Sequence, residues 1–341
     1  MLGGERVWFL KDYQELTKRG QVRRLRRLAE NALEQFGISN YRLRFIKHLV
    51  NTTFVLTCER GRFLLRIHRV PEHTPERIGS ELAWLDALAR DADICVQAPV
   101  KATDGRMIVM GHAEGVPEPL PVTILTWIKG RVLQQNERKL RDFVHLGRLV
   151  GQLHDHVSKW TPPERPDRRT YDAEGVMGPQ AAYPLEGLSR DHLPDEVREG
   201  LRTVYRRLQV IEEELGRGPD HFGFIHFDLS FSNVLFTARE ARPIDFDECG
   251  FGTYLQDLAV ALAGPYGRPD FQARYEAVIT GYREVRALSG EQLVHLPMFL
   301  ALRAAALILW SAHSGKKVSA QWQSRMRLQL DERLFPVKWE V

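Results

Sequence analysis

Cysteine is scarce in this chain. Its 341 residues include three, Cys58, Cys95 and Cys249, far apart and without C-x-x-C spacing. That excludes a disulfide-stapled scaffold and a cysteine zinc cluster, and it fits a reducing, cytoplasmic compartment. Long apolar runs are missing too. The most apolar stretch, Met298–Trp310, is short and contains Arg303. It falls below the roughly 20 apolar residues of a spanning helix, so a buried helix and no membrane association are expected. The chain opens with Gly3, Glu5 and Arg6 close behind Met1, with no apolar run, and no secretory leader is expected. Nor does one sign of charge dominate. Lys plus Arg number 48 against 44 Asp plus Glu, a net charge of +4. Nucleic-acid binders carry a larger, clustered excess, so no nucleic-acid partner is expected. One basic stretch, Lys18–Arg27, reads as the wet face of a helix. Internal repeats and low-complexity tracts are absent.

What remains is ordinary globular composition, 43% hydrophobic and 27% charged, long enough for about two domains. Apolar residues at helical spacing predict a helix over 21–36, stopped by Gly37. Strands are predicted at Tyr41–Ile46, Thr53–Cys58 and Arg62–His68, the last two joined by a turn at 59–61. A helix over Thr74–Ala89 follows, with Thr74 as N-cap and Pro75 first in the helix. Two more strands, Arg106–Met110 and Val122–Trp127, complete a mostly antiparallel sheet. From Glu137 the texture becomes helical: 140–157, 196–215 and most of the chain beyond Tyr254. A Pro- and charge-rich loop is expected at 161–196, and short strands at 224–249. The fold class is therefore α+β: a sheet-rich N-terminal lobe over 1–126 and a helical lobe over 127–341.

The chemistry concentrates in one segment. His226-Phe-Asp228-x-x-x-x-Asn233 is followed, a dozen residues on, by Ile244-Asp245-Phe246-Asp247. Apolar strand-like pieces flank polar residues at fixed offsets, a pattern that holds carboxylates on a rigid frame. Phosphoryl transfer needs a divalent cation on hard oxygen ligands and a base that orients the attacking hydroxyl. Asp228 fits the base; Asn233 and Asp245 fit the Mg²⁺ ligands. His226 reads as a hydrogen-bonding support. Asp and Asn also cap turns, the plainer use of these two residue types.

The segment 225–262, ending Gly250-Phe-Gly-Thr-Tyr-Leu-Gln-Asp257-Leu-Ala-Val-Ala-Leu262, resembles the aminoglycoside phosphotransferase and choline kinase superfamily. It is most similar to the branch of type II homoserine kinases and RdoA-type stress-response Ser/Thr kinases. The resemblance spans roughly residues 40–315. It implies a two-lobe protein-kinase-like fold with an antiparallel sheet N-lobe and a mainly helical C-lobe, and an ATP- and Mg²⁺-dependent transfer of phosphate to a hydroxyl. By it, Asp228 is the catalytic Asp, Asn233 and Asp245 hold Mg²⁺, and Asp257 supports the catalytic loop from a helix start. Asn51 stands where relatives keep an Asn near the phosphates. The acceptor is expected to be a small molecule such as an amino alcohol, sugar or aminoglycoside; a protein Ser/Thr acceptor and a non-catalytic nucleotide-binding protein are the competing readings.

Two further features agree with this. Strand alternation puts Phe63, Leu65 and Ile67 on one face and Arg66, uncommon as a mid-strand charge, on the other. On the next helix Ile78, Leu82, Leu85 and Ala89 form the apolar face, with Glu81 at its edge. Arg66 paired with Glu81 would align the ATP phosphates. The strand 122–127 runs through Ile128 and Lys129 to Gly130 as a hinge, where backbone groups near Thr126 and Ile128 would meet adenine. The pattern also departs from its relatives. Residues 47–53 contain no glycine, and Phe227, Ser230, Phe231 and Ser232 replace Gly, His, Pro and Gly of the commoner loop. Phe231 is expected beside the acceptor. Asp172, Glu174, Asp247 and Glu248 are acids available to an acceptor amine. His154 and His156 are expected to cap or pair rather than bind zinc, and Cys249 to be a packed thiol.

Overall fold

The structure is a computed structural model that describes residues 12–70, 73–189, 191–315 and 323. Residues 1–6, where no leader is expected, and the expected helices beyond 315 lie outside the described residues. The chain divides into two compact units, Met1–Asp86 with Gln97–Ile128, and Ala87–Val96 with Lys129–Val341.

In the first unit, helix α1 (Lys18–Gln35) precedes three strands, β1 (Arg42–His48), β2 (Thr52–Cys58) and β3 (Gly61–Ile67). Helix α2 (Pro75–Asp91) then crosses out of this unit, and β4 (Val109–Gly111) and β5 (Leu120–Thr126) close it. The five strands form one antiparallel sheet in the order β1-β2-β3-β5-β4. Helix α1 starts three residues earlier than its apolar periodicity, because the Thr17 hydroxyl accepts the Gly20 N–H at 3.3 Å and supplies the cap. Its Leu25, Leu28, Ala29, Ala32 and Leu33 pack on Phe54, Leu56, Leu65 and Ile67 of the sheet. The basic stretch is not all wet. Arg24 is buried, and its guanidinium donates to the Gly115 carbonyl at 2.5 Å. A long side chain buries its stem readily when a carbonyl meets its head. On α2 the inward residues are Ile78, Leu82, Trp84, Leu85 and Leu88, whereas Ala89 is exposed. The buried face has turned toward Trp84, which carries far more apolar area than Ala89. Thr74 does cap this helix, accepting the Arg77 N–H at 3.3 Å.

The second unit is built on α3 (Leu140–Lys159), α4 (Ala173–Met177) and α5 (Asp195–Leu215). Four short strands follow, β6 (Phe222–Ile225), β7 (Val234–Phe236), β8 (Ala241–Pro243) and β9 (Gly250–Thr253). Then come α6 (Leu255–Ala263), α7 (Phe271–Arg283), α8 (Gly290–Leu293) and α9 (Leu296–His313). Strands β6 and β9 pair with each other, as do β7 and β8. Helices α3 and α7 cross at glycine on both sides. A Cβ on Gly147 would collide with the Val278 carbonyl, and one on Gly281 with that of Val144. The two backbones can approach this closely only without side chains there. The run Gly290–His313, mean hydropathy 1.8, is the one stretch among the described residues long and apolar enough to cross a membrane. Most of it is buried within the chain, including Leu296, Phe299, Leu300, Leu302, Ala305 and Ile308, as expected of a core helix.

Candidate active site

The loop between β6 and β7 carries His226, Asp228 and Asn233, and its backbone is gripped from below by one carboxylate. Asp257, in the first turn of α6, accepts the N–H of His226 at 2.9 Å on Oδ2 and that of Phe227 at 2.7 Å on Oδ1. His154 Nε2 lies 3.3 Å from the same Oδ2, and its Nδ1 is 3.1 Å from the Tyr282 hydroxyl. His154 also stacks on Tyr254, ring centroids 4.3 Å apart. Both Asp257 and His154 are fully buried. Burial holds the His154 pKa below its ordinary value, so the ring is neutral and donates a hydrogen bond through Nε2. Burial alone would raise the Asp257 carboxyl; the hydrogen bonds from His154 and the His226 N–H outweigh it and hold the carboxyl below the usual range. His154 thus belongs to a buried hydrogen-bonded cluster.

This grip holds Phe227 at φ +64°, left-handed backbone for a bulky residue. A glycine there would meet no such cost. Here the ring of Phe227 lies flat on Tyr171, 3.6 Å between centroids and 7° from parallel, and that stacking offsets the strain. The Tyr171 hydroxyl, whose pKa burial pushes well above the ordinary value, donates to Glu248 Oε2 at 3.0 Å.

His226 is a bridge. Its Nε2 donates to the Ile244 carbonyl at 3.1 Å and its Nδ1 accepts the Asp228 N–H at 3.4 Å, an arrangement that assigns the neutral Nε2–H tautomer. The Asn233 carbonyl in turn accepts the Ile244 N–H at 2.9 Å. Asp245 follows Ile244 directly, at φ +66°, a conformation Asp tolerates better than most residues. These contacts bring His226, Asp228, Asn233, Asp245 and Asp257 into one cluster.

Within it, Asn233 Nδ2 donates to both the Asp228 carbonyl, 3.0 Å, and Asp228 Oδ2, 2.7 Å. The amide nitrogen is therefore turned to Asp228, and the amide oxygen is aimed elsewhere. An amide oxygen and a carboxylate, as Asn233 and Asp245 offer, are hard donors of the kind Mg²⁺ takes. Asp228 is about one-third exposed, and its Oδ1 accepts Arg303 Nη2 at 2.5 Å. Arg303 is the partner that sequence reasoning missed. Its signal was a single charge inside an apolar helix, which served only as an argument against a membrane span. The loop after Asp245 has a second unforeseen support: the Arg168 guanidinium donates to the carbonyls of Asp247 and Cys249, both at 2.5 Å, and of Phe246 at 3.2 Å. Cys249 is buried with its thiol 3.0 Å from Arg168.

Phe231, expected beside the acceptor, does not face solvent. It is buried, stacked on Phe236 at 5.2 Å, with the Arg138 guanidinium 4.2 Å from its ring. Its apolar area is better satisfied in the core than at a wet loop. Asp172, Glu174 and Glu248, read as available to an acceptor amine, have local partners, Glu248 through the Tyr171 hydroxyl. Asp172 caps α4 and pairs with Arg217 at 2.6 Å, and Glu174 accepts the Tyr205 hydroxyl at 2.5 Å.

In the first unit Arg66 and Glu81 form an ion pair, Nη1 to Oε1 2.8 Å, with side chains 4% and 1% exposed. Glu81 sits deeper than the edge of its helix face. Asn51 is buried just before β2, and its carbonyl accepts the Leu49 N–H at 3.1 Å. Ile128 is buried. Thr126 is less available than expected: its N–H donates to the Ala98 carbonyl, and its hydroxyl accepts the Ala98 N–H, both at 2.9 Å.

Comparison with known proteins gives a consistent result. The family model described as the phosphotransferase enzyme family (APH) matches residues 43–291. The amicoumacin kinase of Bacillus subtilis is 24% identical over 312 residues, covering 86% of this chain and 84% of that protein. The homoserine kinase of Beijerinckia indica is 28% identical over 254 residues, covering 73% and 72%. Among solved structures, the microcompartment-associated aminopropanol kinase superposes with a TM-score of 0.73 at 31% identity, over 89% of this chain and 94% of that one.

Proposed function

The chain belongs to the phosphotransferase enzyme family and is a kinase for a small-molecule hydroxyl, and on that premise we propose that ATP is its phosphate donor, Mg²⁺ its metal and a short amino alcohol its acceptor. The observation that supports the reading most is the double hold on Asp228. One carboxylate oxygen is fixed by Asn233 and the other by Arg303, on a loop pinned by Asp257. A carboxylate held rigidly yet one-third open to solvent is suited to receive an acceptor hydroxyl.

In this reading Asp228 orients the hydroxyl and accepts its proton. Asn233 Oδ1 and the Asp245 carboxylate would hold Mg²⁺, which neutralises phosphate charge when bound. Arg66, kept in place by Glu81, presents a guanidinium fork to phosphate oxygens. Thr126 is withdrawn from the adenine contact, and the backbone at Ile128 is kept for it. Asn51 remains a candidate for phosphate. The amine of the acceptor would be met by Asp247 or Glu248, carboxylates that follow Asp245 directly. The amino alcohol class is supported by the aminopropanol and homoserine kinases among the relatives. A cytoplasmic location accompanies this reading.

The test is transfer of label from γ-labelled ATP to a panel of aminopropanol, homoserine, choline and an aminoglycoside, with Mg²⁺. Label in aminopropanol or homoserine is the expected result. Label in the aminoglycoside alone would overturn the acceptor class, and no transfer to any acceptor would overturn the activity.

A further inference from the structure

Helix α9 carries one permanent charge in 18 residues, Arg303. Its neighbours Leu300, Ala301, Leu302, Ala304 and Ala305 are all buried, and the arginine side chain itself is only 13% exposed. A cation in such surroundings is costly unless a partner compensates it. The partner is Asp228, 75 residues away in sequence. The need is one-sided. Asp228, with 32% of its side chain in solvent, is well hydrated without an arginine. What the contact adds to Asp228 is orientation.

We propose that Arg303 is a positioning residue for phosphoryl transfer, acting through Asp228. This rests on the phosphotransferase reading above. Arg303 Nη2 takes Oδ1 and Asn233 Nδ2 takes Oδ2, so both ends of the carboxylate are tied and its plane is set. Each oxygen keeps a second lone pair, and one of these receives the acceptor hydroxyl. As the acceptor oxygen bonds to the γ-phosphorus, the bond from that phosphorus to the β,γ-bridging oxygen breaks, and its electron pair leaves with ADP. The hydroxyl proton passes to Asp228. Without Arg303 the carboxylate is held at one end only and can swing about that contact. Positioning errors of this kind reduce chemistry more than they reduce binding.

The experiment is a double-mutant cycle of Arg303→Met and Asp228→Asn on the full chain, with MgATP and aminopropanol, and with water as acceptor in slow ATP hydrolysis. Arg303→Met should lower kcat by about 10- to 100-fold while KM for ATP stays within about twofold. Arg303→Lys should recover part of the loss. In the Asp228→Asn background Arg303→Met should have no further effect, because its route is gone. Wild-type kcat in Arg303→Met, or an equal fold loss in both backgrounds, would overturn the proposal. If Arg303→Met does not fold, Arg303→Lys decides by the same split: lowered kcat at unchanged KM supports the proposal, and a change confined to KM for ATP overturns it. A wild-type protein that neither transfers phosphate nor hydrolyses ATP would instead remove the phosphotransferase reading on which the proposal stands.

Discussion

The Arg66–Glu81 pair of the first unit and the Arg303–Asp228 pair of the second are both short, 2.8 and 2.5 Å, but water reaches only one of them. In the first pair both partners are enclosed, so each depends on the other and neither can be lost quietly. In the second the arginine is nearly buried while the carboxylate stays one-third open. An enclosed pair fixes a cation in place; a half-open pair fixes a carboxylate and still leaves it able to meet a ligand. An arginine–carboxylate pair thus secures a buried cation in one place and orients a half-open carboxylate in the other, and burial makes the difference.

The largest effects are expected around the open pair. Asn233→Ala and Asp245→Ala should each nearly abolish turnover and raise the Mg²⁺ requirement, since on the proposed reading each removes an oxygen ligand from an ion that demands near-octahedral geometry. Kinetics across a Mg²⁺ titration check this, and normal turnover of both variants at low Mg²⁺ would dissolve the metal assignment.

Next comes the closed pair, where the loss should appear as stability. Glu81→Ala leaves the buried Arg66 cation without this carboxylate, at a cost of about 3–5 kcal/mol. Denaturant unfolding measures it. A loss under 1 kcal/mol, comparable to that of an exposed pair, would erase the contrast between the two pairs.

The smallest effect concerns the support beneath the loop. The folded pKa of His154 lies below its ordinary value near 6.5, so the unfolded chain binds more protons as pH falls through that value. Its contribution is present above about pH 6.5 and is lost on acidification. The depressed Asp257 carboxyl acts in the same direction at lower pH, below roughly 4. Stability should therefore fall as pH drops below about 6.5, at no more than the ~1.4 kcal/mol per pH unit that one proton can supply. Melting curves from pH 7.5 to 5.5 should show this slope, and His154→Gln should make it shallower. An unchanged slope would place the titration elsewhere.

Much of the molecule was legible before any coordinates. Period-two runs marked β2 and β3 to within a residue, and apolar spacing marked α1, α3 and α5, because these elements bury one face and their sequences show it. His226, Asp228, Asn233 and Asp245 stood out because their offsets within a strand-flanked loop are short. Long-range partners were invisible. Arg303 reaches Asp228 across 75 residues and Arg168 reaches the 246–249 loop across about 80, and no local pattern encodes such contacts. Burial of amphipathic groups was misjudged for a related reason. Arg24 looked wet and Phe231 looked site-facing, yet one found a carbonyl and the other an aromatic cluster. Thr126 shows the limit from the other side: its place at a strand end was clear, but that Ala98 would take both its N–H and its hydroxyl was not.

The most direct test of the central claim is a paired measurement on Asp228→Asn: ATP affinity by calorimetry, and phosphate transfer to the acceptor. The substitution keeps size and removes the proton-accepting charge. Turnover should fall by about 10²–10⁴-fold, the usual contribution of a positioned acid–base group, while ATP affinity stays within about twofold of wild type. Wild-type turnover in the Asn variant would contradict the assignment outright, and loss of ATP binding together with activity would mean that Asp228 supports the fold or the metal and not the acceptor.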